Sequence, residues 1–68
     1  MKVTNDDNIT REDGTEYSMI TFDTKHTAIL NKGEFTFNVL TPNGRKASDD
    51  VSYRAIKAIN TYYDQFLN

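Results

Sequence analysis

The sequence predicts an α+β domain: a small antiparallel β-meander of three to five strands with one C-terminal amphipathic α-helix packed on one face. Three observations carry that prediction. Turn signatures at Asp13-Gly14, Lys32-Gly33 and Pro42-Asn43-Gly44 separate short runs rich in Thr, aromatic and β-branched residues. Phe35, Phe37 and Val39 alternate with Glu34, Thr36 and Asn38, the period of a half-buried strand. Only the segment after Ala47 repeats with the period of a helix.

Residues 1–8 are too polar to bury much and form a flexible or edge segment, leaving 9–68 as the single domain. Asp13-Gly14 is the signature of a two-residue hairpin turn with positive φ at both positions. Its incoming arm is short and charged, as suits an exposed edge. The outgoing arm, Thr15 to Asp23, has strand composition. "TKHTAIL", "NKG" and "EFTFNVL" make a second hairpin with two open registers. A bulged loop over Asn31-Lys32-Gly33 sets Ile29 opposite Phe35. A two-residue Lys32-Gly33 loop sets Leu30 opposite Phe35 and Ala28 opposite Phe37. The left-handed preference of Gly at a third loop position favours the first, and a one-residue slip exchanges the faces of the strand.

Pro42 fixes φ near the value a turn needs and Gly44 suits the left-handed position after it. That turn returns Arg45, Lys46 and Ala47 toward the sheet, with Ala47 near Val39. Ser48, Asp49 or Asp50 caps a helix over about residues 50–66, and the two carboxylates suit its positive end. At 100° per residue, Val51, Ala55, Ile56, Ala58, Ile59, Tyr62, Tyr63, Phe66 and Leu67 share one half of the wheel. Tyr53, Arg54, Lys57, Asn60, Thr61, Asp64 and Gln65 share the other.

The totals narrow the function. A chain of 68 residues without Cys has neither disulfides nor a thiolate metal site to reinforce a small core. It has no apolar run near the ~20 residues of a membrane span, and its polar, acidic beginning is not a signal peptide. A cytoplasmic protein is expected, in which the Asn8-Ile9-Thr10 sequon has no meaning. Net charge is −2, yet residues 1–24 sum to −4 and residues 25–48 to +3. A duplex-binding protein usually carries an overall basic excess, so the acidic total argues against nucleic acid.

Catalytic and metal chemistry find little here. His26 is the sole His, and no nucleophile-elbow pattern surrounds Ser18, Ser48 or Ser52. The acidic run "NDDNITREDG" fails the EF-hand spacing, because counting back from Gly14 starts the loop at Ile9. The glycines sit in separate turns without a phosphate-binding arrangement. No cofactor, no metal ion and no enzyme activity are expected.

The binding candidates are basic and aromatic. Lys25 sits at the same end of the meander as Arg45 and Lys46, a cluster suited to one or two phosphates or an acidic protein. Lys32 lies at the opposite end, about 23 Å away at ~3.3 Å per residue. Tyr53, Arg54 and Lys57 form a second candidate group on the polar side of the helix, and Tyr and Arg are enriched in binding hot spots. Apolar residues fall on both faces of the sheet, and one helix covers only one of them. The expected function is therefore a small non-catalytic interaction module: an adaptor, regulator or inhibitor that binds another protein, itself able to form a homodimer. Richness in Asn, Asp, Thr, Ile and Tyr suggests an AT-rich genome such as that of a phage or mobile element. The alternative is a nucleic-acid-binding domain using its basic β-turns and sheet.

Overall fold

A computed structural model describes residues 1–34 and 36–67; the side chains of Phe66 and Leu67, like residues 35 and 68, lie outside the description. The chain order is β1 (Val3–Thr10), β2 (Glu16–Phe22), β3 (Thr27–Asn31), β4 (Thr36–Leu40) and α1 (Asp49–Leu67). The four strands form one antiparallel sheet in sequence order, and α1 lies across one face of it. The expected α+β meander is therefore present. Its return segment contributes only a single bridge, Lys46 to Leu40.

Three of the loops share one geometry. Gly14 N–H donates to the Arg11 carbonyl and Arg11 N–H to Thr15, with Gly14 at φ 85°. Gly44 donates to Thr41 and Thr41 to Arg45, with Gly44 at φ 82°. Lys25 donates to Phe22 and Phe22 to His26, with Lys25 at φ 72°. Each is the three-residue hairpin loop that ends in a left-handed residue and a bulge. Asp13-Gly14 is thus not the two-residue turn its dipeptide suggests, since Asp13 keeps a negative φ. The Asp13 carboxylate instead accepts the Thr15 N–H at 2.9 Å, and hydrogen bonding by the Thr15 side chain, followed by that backbone bond, lowers its pKa.

The β3–β4 loop differs from both expected registers. Leu30 pairs with Phe37, Ile29 with Asn38 and Ala28 with Val39, and Gly33 does not take a positive φ. The cause is Asn31, whose side-chain oxygen accepts the N–H groups of Gly33 at 3.0 Å and Glu34 at 3.2 Å. That local turn draws extra residues into the loop. Relative to the two-residue loop the register slips by two, so faces are kept: Ala28 and Leu30 stay with Phe37 and Val39, while Ile29 turns to the other side. The expected partners of Phe35 lie outside the described residues.

The core joins Ile20, Phe22, Ala28, Val39, Ala47, Ala55 and Ile59, all buried. Ala47 is tied in by its N–H, which donates to the Val39 carbonyl at 2.9 Å. Ser48 then starts α1: its hydroxyl accepts the Val51 N–H at 3.3 Å and its carbonyl the Ser52 N–H at 2.9 Å. Of the apolar half-wheel, Ala55 and Ile59 are buried and Val51, Ala58 and Tyr63 partly so, but Ile56 is exposed. The molecule measures 34 × 32 × 18 Å, and its thin dimension has room for one sheet and one helix.

Candidate functional site

Strand alternation decides what each face of the sheet carries. Ser18, Ile20 and Phe22 point under α1, so Tyr17, Met19 and Thr21 point away from it. Directly paired residues share a face, which fixes the remainder of the uncovered side. One row across the strands runs Ile9, Tyr17, Asn31, Thr36. The next runs Asp7, Met19, Ile29, Asn38. The third runs Asn5, Thr21, Thr27, Leu40 and then Lys46 through its bridge.

No segment among the described residues covers this face. Ile9 and Met19 are 42% and 38% exposed, and Tyr17, Ile29 and Leu40 are half-buried only by their neighbours in the sheet. Arg11 stacks over the Tyr17 ring at 4.5 Å and closes one end of the surface. A face with an apolar centre and charges at its margins is complementary to another apolar surface, and exposed patches of this kind commonly mark contact sites.

The six basic and aromatic residues expected to bind fall into two separate sets. Lys25, Arg45 and Lys46 lie at one end of the sheet, where the Lys25 loop leads into Thr27, the cross-strand partner of Leu40. All three are exposed. Lys32 is at the opposite end, next to Asn31, as the strand length requires. There it donates to the Asn8 side-chain oxygen at 3.0 Å.

Tyr53, Arg54 and Lys57 lie on the exposed side of α1. Lys57 stacks over the Tyr53 ring at 4.7 Å, and Arg54 pairs with Asp50 at 3.5 Å across one helical turn. That exposed pair contributes little to stability. Arg54 and Lys57 also border a groove of about 450 Å³ against the start of β1, where they are joined by Lys2. Sequence reasoning omitted Lys2, because only the tertiary fold brings β1 beside the helix.

A polar corner under the far end of α1 was likewise missed. The buried Ser18 hydroxyl donates to the Asn8 side-chain oxygen at 3.0 Å, and Tyr63 donates to Asp6 at 3.2 Å. Burial raises the pKa of Tyr63, and the neighbouring Asp6 charge raises it further. The other Asp6 oxygen is buried without a hydrogen-bond partner. The only signal available in the sequence was the two-residue spacing of Asp6 and Asn8, which puts both on one face of a strand.

His26 is half-buried in its loop with Nδ1 2.8 Å from the Thr24 hydroxyl. Among the described residues no group of three His, Asp or Glu side chains is placed to hold a metal ion, and no helix is long and apolar enough to cross a membrane. Comparison with protein-family models, with curated proteins and with solved structures found no match to this chain.

Proposed function

We propose that this chain is a small non-catalytic interaction module of the cytoplasm, an adaptor, regulator or inhibitor that acts by binding another protein through the uncovered face of its sheet. The observation that carries this reading is the exposure of Met19 and Ile9 beside Tyr17, Ile29 and Leu40 on the side opposite α1. In so small a domain, apolar surface left out of the core favours contact with another apolar surface. Its amino-acid usage fits an AT-rich genome, such as that of a phage.

The nucleic-acid alternative has less support. Tyr17 is the only aromatic residue among the described positions of this face, and its ring already carries Arg11. The basic residues are divided between two ends of the sheet and the helix.

Capture from a host extract by immobilised chain at low micromolar concentration tests the proposal. Proteins retained by the wild type should be lost with Met19→Lys and kept with an Arg54→Ala/Lys57→Ala variant, whose changes lie on the helix. Retention by Met19→Lys refutes the assignment of the face. Micromolar binding of DNA or RNA that falls steeply with salt would replace it with the nucleic-acid reading.

A further inference from the structure

The uncovered face has a polarity that specifies one occupant. Along its three rows the described side chains are uncharged except at the margins: Asp7 and, at the end of β1, Arg11 on one edge, and Lys46 on the other. Between them lie Met19, Ile29 and Leu40. Asp7 accepts a hydrogen bond from the Asn5 amide at 2.9 Å, and Lys46 has no ion-pair partner among the described residues. With Arg11 folded over the Tyr17 ring beside the Asp13 carboxylate, the charges left to face a partner are Asp7 at one edge and Lys46 at the other. That pattern, with its apolar centre, is complementary to itself under a two-fold rotation.

We infer that the face pairs with a second copy of this chain, sheet on sheet, about a two-fold axis parallel to the strands. This rests on the reading of the face as a protein-binding surface. Such an axis lays β1 of one copy over β4 of its partner. Met19 and Ile29 pack at the centre, and Asp7 of each copy comes within one row and one strand of the other copy's Lys46, which lies on the segment just beyond β4. Stacked sheets meet about 10 Å apart with strands inclined by about 30°, which lets a long Lys side chain span that offset. The charge pattern occurs twice in the dimer, so it sets orientation as well as affinity.

The size of the face sets the strength. Four strands about 4.8 Å apart and about five residues long give a face of roughly 19 by 17 Å. Two such faces bury less than the ~1,200 Å² at the lower end of stable interfaces. A patch below that range supports only weak pairing, so self-association should appear between about 10 µM and about 1 mM.

Sedimentation equilibrium from about 10 µM to about 1 mM tests this. The weight-average mass should climb from the 7.8 kDa monomer toward twice that value. Met19→Lys should hold it at the monomer. Asp7→Lys or Lys46→Asp alone should each weaken association about tenfold, because either change puts like charges together at both symmetric contacts. The double variant Asp7→Lys/Lys46→Asp should return to within about twofold of wild type. Circular dichroism confirms that each variant is folded; should Met19→Lys fail to fold, the charge exchange decides alone.

A wild-type chain that stays monomeric at ~1 mM overturns the self-pairing. So does a dimer indifferent to both Met19→Lys and the charge exchange. Neither result touches the wider reading of the face, which fails if protein capture survives Met19→Lys or if salt-sensitive nucleic-acid binding replaces it.

Discussion

Lys25 occupies a position built for glycine, and exchanging it measures what that costs. Its φ of 72° is the only positive value at a described non-glycine residue, and its loop has the hydrogen bonds that Gly14 and Gly44 close elsewhere. For an L-residue the left-handed conformation costs roughly 1–2 kcal/mol through the clash of Cβ with the following carbonyl. Glycine removes that cost but returns about 0.4–1 kcal/mol as extra freedom of the unfolded chain. Lys25→Gly should therefore stabilise by about 0.5–1 kcal/mol, a rise in Tm of about 3–6 °C for a domain of this size. Lys25→Ala keeps the Cβ and should leave stability within about 0.5 kcal/mol of wild type, which separates backbone relief from loss of the side chain. Gly44→Ala is the reverse experiment. A Cβ built there meets nothing within 4 Å, so its cost of about 1–2 kcal/mol is one of backbone alone. Thermal and urea melts followed by circular dichroism read all three. A lower Tm for Lys25→Gly, or an unchanged one for Gly44→Ala, would refute the equivalence of the loops.

Phe22 is fully buried at the centre of the core, and Phe22→Ala should cost about 3–5 kcal/mol, enough to leave so small a domain largely unfolded in the amide region of a proton NMR spectrum. Ser48→Ala removes the cap of α1 and should cost about 1 kcal/mol by urea melt, whereas Ser48→Gly should cost only a few tenths. Tyr63 gives an alkaline signature. Because its folded pKa is raised, the neutral phenol contributes stability that is complete below the unfolded value near 10 and lost as pH climbs through the folded value. Wild type should thus lose Tm faster than Tyr63→Phe as pH rises above about 10, and parallel slopes would count against the burial of this hydroxyl.

Helix α1 was the most legible element, because Ser48, Asp49 and Asp50 mark its start and Ala55 and Ile59 recur at helical spacing. The turn at Pro42-Asn43-Gly44 was legible for a similar reason: Pro and Gly each restrict φ in a known way, and Gly44 sits at φ 82°. The Lys25 loop was hidden, since its geometry comes from pairing Phe22 with His26 rather than from any residue that prefers it. The β3–β4 register was hidden because it turns on one side chain, the Asn31 oxygen that accepts the amides of Gly33 and Glu34 and lengthens the loop. Of the site, the opposition of Tyr17 and Met19 to Ile20 and Phe22 followed from alternation alone. The assignment of Ile29 to the same face did not, because it depended on that register.

Strand β1 explains why a chain with so polar a beginning still folds as one unit. Its inward positions opposite Ser18 and Ile20 are Asn8 and Asp6, where a meander would ordinarily place apolar side chains. Hydrophobic burial therefore cannot hold this strand, whose only partly buried apolar residue is Val3. What holds it is the ladder to β2, extended by the Lys2–Asp23 exchange of backbone and side-chain bonds, together with the Ser18–Asn8–Lys32 and Tyr63–Asp6 contacts. Such bonds net about 1 kcal/mol each when neutral and about 1.5–3 kcal/mol when a charged group takes part, so β1 is held by polar contacts where the inner strands are held by the core. The same strand carries Asp7 and Ile9 onto the uncovered face. On the proposed function, occupation of that face would steady an edge too polar to be fixed by the core, and amide exchange along β1 should slow when a partner is bound.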